Sequence, residues 1–218
     1  MNGRCWPRVG KERIEPRWLA WAREIQAIAQ TGLTFATGEY DLVRYRRLME
    51  LAAEITADHL GADREELHQD FLAQPGYATP KIDVRGAIVQ DGRILLVHEK
   101  ADGNWCMPGG WADVDEYPSA MVVREVQEES GLTVRPRKVI GVFDANRVGR
   151  PRAFYHAYKI VFLCDLLGGE PHGGDETLDA RYFRFDAIPP LSGTRTEHRH
   201  LVEVQAHLAD PMRPAAFD

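Results

Sequence analysis

Apolar residues recur three or four positions apart along the first third of the chain, which is the spacing of an amphipathic helix. This pattern predicts a helix over residues 16–31 that stops at Gly32, because a glycine commonly ends a helix. A second helix is predicted to begin after Asp41, a favourable N-cap, and to end at Gly61, and Asp63 is predicted to cap a third, short one. This part of the chain is therefore expected to form a small all-α domain.

The periodicity changes after Gln74-Pro75-Gly76, which interrupts the helical spacing. Two apolar runs follow, separated by Asp91-Gly92, and they predict a β-hairpin because this dipeptide supplies the positive φ angles of a tight turn. The hairpin, three later strands and a final helix are expected at residues 82–98, 138–144, 156–165, 182–185 and 196–208. Strands after an all-helical segment predict an α+β chain, with a helical domain over residues 1–75 and a second domain over residues 76–218.

A dense group of charged residues and glycines lies between the hairpin and the later strands. It consists of Gly110-Trp-Ala-Asp-Val-Asp-Glu116 and, seven residues later, Arg124-Glu-Val-Gln-Glu-Glu-Ser-Gly-Leu132. The second stretch belongs to a helix predicted over residues 119–130, which ends at a glycine and which Val122 and Val126 anchor in the core.

Glu125, Glu128 and Glu129 are spaced i, i+3 and i+4 and therefore share one face of this predicted helix. Carboxylates placed in this way repel one another unless a cation lies among them. Magnesium prefers oxygen ligands and bridges substrate phosphates, so this face predicts a Mg²⁺ site for phosphate chemistry, in which Mn²⁺ would substitute. The alternative is a solvated acidic helix face without a metal.

The two stretches together fit the pattern G-x5-E-x7-R-E-U-x-E-E-x-G-U, in which U is aliphatic, at every specified position. The chain therefore resembles the Nudix hydrolases. This resemblance implies an α/β/α sandwich with a mixed sheet, and hydrolysis of a pyrophosphate bond by a metal-activated water. It also implies that the Gly109 carbonyl is a further metal ligand, that Arg124 orients a glutamate and the glycine loop, and that Glu116 is mainly structural. A plain surface salt bridge is the alternative for both of these charged side chains.

Three residues outside the motif are further candidates for the site. Arg85, on the first strand, is a candidate for binding a substrate phosphate, since a guanidinium pairs bidentately with such oxygens, although a surface ion pair is equally consistent. Glu176 lies in a glycine-rich loop where related enzymes often keep a catalytic glutamate, the alternative being a solvated loop acid. We therefore expect Glu129 or Glu176 to accept the proton of the attacking water. Arg195 is a candidate for substrate binding on the same grounds as Arg85.

The likeness extends to residues 76–85, 95–99 and 105–113 and to the helical front, which together resemble the branch of the family with an amino-terminal helical domain. Members of this branch hydrolyse nucleoside diphosphates linked to a second group, such as CDP-choline and ADP-ribose, and tend to be dimers. The products are a nucleoside monophosphate and a phosphorylated second group. The resemblance therefore implies a small nucleotide substrate and a homodimer.

Charge and composition limit the partners and the location. No stable nucleic-acid partner is expected, because 27 basic against 33 acidic residues leave no broad basic surface. No stretch approaches the roughly 18 to 20 apolar residues of a membrane span, and residues 1–15 lack the apolar core of a secretory signal. Three widely spaced cysteines favour reduced thiols over a disulfide framework, so a cytoplasmic protein is expected.

Three other functions are weighed against this interpretation. An RNA-directed hydrolase, acting at a 5′ end or as a 3′ exonuclease, would use the same metal helix, and the acidic chain disfavours it weakly. A non-catalytic regulatory module on the Nudix fold would be expected to have lost a glutamate of the motif, and none is missing. Only the fold supports the third alternative, isomerase chemistry on an isopentenyl diphosphate.

Overall fold

The computed structural model describes residues 16–145 and 154–217, so the expectations for residues 1–15, including Cys5, lie outside it. The chain divides into two compact units. The described part of the first unit extends to Ala78 and includes Phe154, and the second unit holds the other described residues. The domain boundary proposed from the sequence, after residue 75, stays a prediction.

The first unit is formed by three helices. They are α1, Arg17–Phe35, α2, Glu39–Leu60, and α3, Arg64–Leu72. The prediction that α1 stops at Gly32 is wrong, because the helix continues for another turn to Phe35. A Cβ atom at Gly32 would overlap the ring of Tyr45 on α2, so this glycine allows close packing of two helices and does not end one.

The start of α2 also differs from the prediction. The first residue of the helix is Glu39, after Gly38 and two residues before Asp41. Asp41 lies in the first turn and forms an ion pair with Arg44 at 2.7 Å. The other two boundary predictions are confirmed. Gly61 ends α2 in the left-handed conformation with φ 67°, and the side chain of Asp63 accepts the backbone N–H of the third residue of α3.

The second unit contains a seven-stranded mixed sheet. Its strands are β1, Lys81–Gln90, β2, Arg93–Glu99, β3, Trp105–Cys106, β4, Thr133–Asp144, β5, Ala157–Gly168, β6, Thr177–Arg184, and β7, Ala216–Phe217. Their order is β3-β2-β1-β5-β4-β7, with β6 paired to β2. The pairs β1–β5 and β4–β7 are parallel and the others are antiparallel. The predicted strands are present, although β4 and β6 each start five residues earlier than predicted. The sequence pattern missed the start of β4 because its first residues are largely polar and exposed.

Two helices cover opposite faces of this sheet. The first, α4, Pro118–Ser130, packs Val122 and Val126 into one apolar core, and both side chains are fully buried. The second, α5, His198–Ala209, packs Leu201 into the core on the other face. The α+β fold is therefore the α/β/α sandwich that was expected, preceded by a helical domain. No helix in residues 16–145 or 154–217 is long and apolar enough to cross a membrane.

Three charged side chains are buried side by side in the sheet. Arg85 donates to both carboxylate oxygens of Asp83, at 3.0 and 2.8 Å, and Lys159 on the neighbouring strand donates to Asp83 at 2.8 Å. All three residues are at most 5% exposed. Asp83 and Arg85 share one face of β1 because side chains alternate along a strand, and the parallel register places Lys159 directly opposite Asp83.

Candidate active site

The glycine loop that precedes α4 is bound along the edge of β1. Strands β1 and β2 pair only next to their hairpin turn, which leaves the earlier part of β1 open on that side. The N–H groups of Val84 and Gly86 donate to the carbonyls of Gly110 and Pro108, at 2.9 and 2.8 Å. Gly109, between them, has φ 139°, and a Cβ atom there would overlap the carbonyl oxygen of Val84. The loop therefore requires glycine at this position.

The carboxylate of Glu129 meets this loop from the other side. It accepts the backbone N–H of Gly109 at 2.8 Å, and the residue is only 7% exposed. Burial raises the pKa of Glu129 to about 7, while the charge of Arg85 and the Gly109 hydrogen bond act in the opposite direction. Within the described part of the chain, Glu129 forms no ion pair, so its charge is not balanced by a direct contact.

Glu125 lies one helical turn before Glu129 and faces the same loop. A Cβ atom on Gly110 would lie 2.9 Å from Glu125 Oε2, so the second glycine leaves room for this carboxylate. Burial raises the pKa of Glu125, although its ion pair with Arg124, at 3.0 Å, opposes that shift. Two carboxylates that are largely withdrawn from water thus converge on adjacent glycines of the loop.

Arg124 is the centre of a carboxylate cluster beside this pair. It donates to both oxygens of Glu116, at 3.0 and 2.8 Å, and to Glu128 at 2.9 Å, and it lies 3.4 Å from Asp113. The hydrogen bonds with Glu116 raise the pKa of Arg124 and lower that of Glu116, which strengthens the pair. The structure therefore joins Glu116 at the start of the motif to the helix that ends it.

Glu128 differs from the other two glutamates of the helix face. Its side chain is 58% exposed and binds Arg124 at 2.9 Å. In residues 16–145 and 154–217, no three carboxylate, imidazole or thiol groups already converge as a metal-binding set. The donors that do meet, a buried carboxylate without an ionic partner and a second one beside it, nevertheless suit a hard divalent cation.

Comparison with known proteins assigns the chain to a family. Residues 80–205 match the family model described as the NUDIX domain. This chain belongs to the Nudix hydrolases. Residues 16–71 match the model described as a UDP-X-like, N-terminal oligomerisation domain. Enzymes of this family generally use divalent metal cations.

Two of the following three relatives cover nearly all of this Nudix hydrolase. A Bacillus subtilis protein named as a candidate ADP-ribose pyrophosphatase is 39% identical over 94% of the chain and 99% of its own length. A crystal structure of a UDP-X diphosphatase is 30% identical, with a TM-score of 0.60. The match covers 93% of this chain and 98% of the chain in that structure. A crystal structure of an ADP-ribose pyrophosphatase from Streptococcus suis is 38% identical over 64% of the chain and all of its own, with a TM-score of 0.59.

Arg85, a candidate for binding a substrate phosphate, is buried. Its side chain is 4% exposed, and every guanidinium nitrogen is engaged by Asp83, by the Met107 carbonyl at 3.1 Å or by Cys106 Sγ at 3.8 Å. The role of Arg85 in binding a substrate phosphate stays a prediction, and in this structure its guanidinium is engaged within the core. Its contact with Met107 instead supports the start of the glycine loop from within the core.

Glu176 lies in a loop that contacts the end of α4. The hydroxyl of Thr177 donates to the carbonyl oxygen of Glu129 at 2.7 Å, and Lys100 N–H donates to the carbonyl oxygen of Glu176 at 3.1 Å. The side chain of Glu176 is exposed. The loop is thus near the end of α4, and the role of Glu176 as general base or metal ligand stays a prediction.

Arg195 forms an ion pair with Glu99, at 3.2 Å between Arg195 Nε and Glu99 Oε1. The sequence analysis did not single out Glu99, which ends β2 and is 3% exposed. A glutamate two residues after the apolar run Leu95-Leu-Val is the signal that the sequence offers, because a charged residue on a buried strand needs a partner. The role of Arg195 in substrate binding stays a prediction.

Proposed function

We propose that this Nudix hydrolase cleaves the pyrophosphate bond of a nucleoside diphosphate linked to a second group, with ADP-ribose and CDP-choline as the leading substrates. The products are a nucleoside monophosphate and a phosphorylated second group. The observation that supports this most strongly is that buried Glu129 and half-buried Glu125 of α4 face the glycine loop, in a chain that is similar over both domains to proteins named for ADP-ribose and UDP-X hydrolysis.

We propose Mg²⁺ as the cofactor, held by Glu125, Glu128, Glu129 and the Gly109 carbonyl, with Mn²⁺ as a substitute. When bound, Mg²⁺ would lower the pKa of the attacking water and would neutralise charge that develops on the substrate oxygens. Glu129 or Glu176 accepts the proton of the attacking water. Glu128 joins this set by leaving its contact with Arg124, which its exposed position permits.

The experiment that tests the proposed substrate class is a panel of phosphoanhydrides with Mg²⁺ or Mn²⁺. The panel contains ADP-ribose, CDP-choline, a UDP-sugar, ATP and an RNA with a 5′ diphosphate. We expect ADP-ribose or CDP-choline to be cleaved with the highest kcat/KM. Turnover of ATP or RNA alone would contradict the substrate class while leaving the family assignment intact. No turnover of any member would favour the non-catalytic module.

Arg124→Ala is expected to lower kcat by about 10- to 100-fold, the usual cost of losing a group that orients metal ligands. The variant loses the contacts with Glu116, Glu125 and Glu128 together. Arg124→Lys keeps the charge but not the bidentate geometry, so its kcat should lie between those of Arg124→Ala and the wild type. Arg184→Ala is the control, because Arg184 pairs with exposed Asp186, and this variant should leave kcat unchanged. Equal activity of Arg124→Ala and Arg184→Ala would refute the orienting role.

We also propose that the protein is a homodimer assembled through its helical unit. Large apolar side chains on α1 and α2 are exposed in that unit, and a helix stripe of this kind needs a partner surface. They are Trp21, Ile28, Phe35, Tyr40 and Val43, with exposed fractions of 50 to 83%. The family description of this region as an oligomerisation domain supports the same proposal.

Light scattering on the full chain is expected to give twice the mass of one chain. Ile28→Lys combined with Val43→Lys should shift this to a monomer with an unchanged helical spectrum, because both positions are exposed. Leu178→Lys, at an equally exposed position of the sheet unit, is the control and should remain a dimer. A monomeric wild-type chain would contradict the dimer.

A further inference from the structure

Glu99 is a buried carboxylate at the end of β2, next to the candidate site. Its Oε1 atom accepts the Cys106 thiol at 2.9 Å and lies 3.2 Å from Arg195 Nε. A buried carboxylate needs a compensating charge, and Arg195 supplies it. The thiol that Glu99 accepts belongs to Cys106, three residues before Gly109. The Glu99–Arg195 pair therefore lies beside the glycine loop.

The segment that carries Arg195 is fixed to the strand that leads into this loop. Ser192 N–H donates to the Trp105 carbonyl at 2.8 Å, and Met107 N–H donates to the Thr196 hydroxyl at 2.9 Å. These bonds bracket Arg195 on both sides. Its backbone therefore has a fixed position relative to Met107, two residues before Gly109.

Three arginines lie around the glycine loop, and they differ in what their nitrogens bind. Every guanidinium nitrogen of Arg85 and of Arg124 has a partner in the described structure. Arg195 Nε lies 3.2 Å from Glu99 Oε1, and Nη1 lies 3.4 Å from the Ser192 hydroxyl and 3.9 Å from Asp102 Oδ2. Its Nη2 donates no hydrogen bond within residues 16–145 and 154–217. The Arg195 side chain is 31% exposed, so this nitrogen is open to a ligand.

We propose that Arg195 binds a phosphate oxygen of the substrate diphosphate, and that Glu99 is the positioning residue that orients its guanidinium. This proposal rests on the proposed function. Glu99 pairs with Nε and Nη1 faces Ser192 and Asp102, which leaves Nη2 for the substrate. The substrate then binds a guanidinium that is already oriented, so less side-chain entropy is lost on binding.

The end of β2 also binds the loop that contains Glu176. Lys100, directly after Glu99, donates through Nζ to the carbonyls of Gly174 and Asp175, at 3.2 and 2.7 Å. Glu99 and Lys100 thus hold the two segments that contain Arg195 and Glu176. The two candidates that the sequence placed far from the motif are both anchored at this point.

The competing explanation is that Arg195 only neutralises buried Glu99. Arg195→Lys separates the two roles, because lysine keeps a charge near Glu99 but cannot offer Nη2. We expect Arg195→Lys to raise KM for ADP-ribose by about 10-fold, the usual effect of one charge-assisted hydrogen bond, with a smaller change in kcat and an unchanged unfolding midpoint. Arg195→Gln should raise KM further.

Glu99→Gln tests the positioning role. It retains an acceptor for the Cys106 thiol but removes the charge that holds Arg195, and it should raise KM by about 3-fold, less than Arg195→Gln. If Glu99 acts through Arg195, adding Glu99→Gln to Arg195→Gln should change KM no further. Asp186→Asn, which breaks an exposed arginine pair in the same unit, is the control and should leave KM unchanged.

Calorimetric binding of magnesium pyrophosphate provides a readout without turnover. We expect Arg195→Lys and Arg195→Gln to weaken it about 10-fold relative to the wild type. If KM and pyrophosphate affinity of both variants stay within twofold of the wild type, the inference is overturned. Failure of the wild type to cleave any nucleoside diphosphate would instead refute the proposed function, and the pyrophosphate measurement would still decide the role of Arg195.

Discussion

Glu129→Gln is expected to lower kcat by at least about two decades with Mg²⁺ while the fold stays intact. Glu129 is the most buried carboxylate of the catalytic helix and accepts the Gly109 N–H, so glutamine keeps the size and the acceptor but removes the charge. The matched control is Glu170→Gln, an exposed loop glutamate of the same unit, which should leave kcat unchanged. Near-normal turnover of Glu129→Gln would refute its role in metal binding.

The same variant has a predicted effect on stability without metal. Burial raises the pKa of folded Glu129 to about 7 from an ordinary value of 4.5, so the folded protein binds this proton more tightly than the unfolded chain. Stability of the metal-free wild type should therefore fall as the pH rises from about 4.5 to about 7. Glu129→Gln lacks this proton, so its unfolding midpoint at pH 8 without metal should equal or exceed that of the wild type. A lower midpoint would contradict the assignment.

Asp83→Asn is expected to lower the free energy of unfolding by about 3 to 5 kcal/mol, because it leaves the buried charges of Arg85 and Lys159 without their shared partner. Burial alone would raise the pKa of Asp83, but the two adjacent cations outweigh it and hold the pKa below its usual value. Lys159→Met should lower the free energy of unfolding by less, since the ion pair between Asp83 and Arg85 remains.

Urea unfolding at pH 7 measures the free energy of unfolding of both variants. An unchanged m-value would indicate that each variant exposes the same surface on unfolding as the wild type. Asp186→Asn removes an exposed carboxylate that also pairs with an arginine and should not change the midpoint measurably. A change of under about 1 kcal/mol for Asp83→Asn would mean that the buried cluster does not stabilise the sheet.

Local patterns predicted the catalytic helix correctly. Val122 and Val126 are buried as their spacing required, and the left-handed Gly131, with φ 72°, ends α4. The predictions for Gly32 and Asp41 fail for two different reasons. Gly32 makes room for a ring on another helix, and α2 begins after Gly38 without any side-chain cap, so Asp41 is not needed as its N-cap.

The parts of the site that the sequence did not reveal depend on contacts between distant segments. Alternation along β1 places Asp83 and Arg85 on one face, but only the parallel partner strand shows that this face is buried against Lys159. Glu99 and Arg195 are 96 residues apart, and no local periodicity relates them. Helical spacing likewise put Glu128 with Glu125 and Glu129, whereas a contact with Arg124 decides where its carboxylate lies.

The most direct test of the central claim is product analysis of ADP-ribose and CDP-choline hydrolysis in ¹⁸O-labelled water with Mg²⁺. Attack on one phosphorus of the P–O–P bridge predicts a nucleoside monophosphate and a phosphorylated second group, with ¹⁸O in one of the two and no inorganic phosphate until a phosphatase is added. Release of inorganic phosphate by the enzyme itself, or no cleavage of either compound while ATP or RNA is hydrolysed, would contradict the claim.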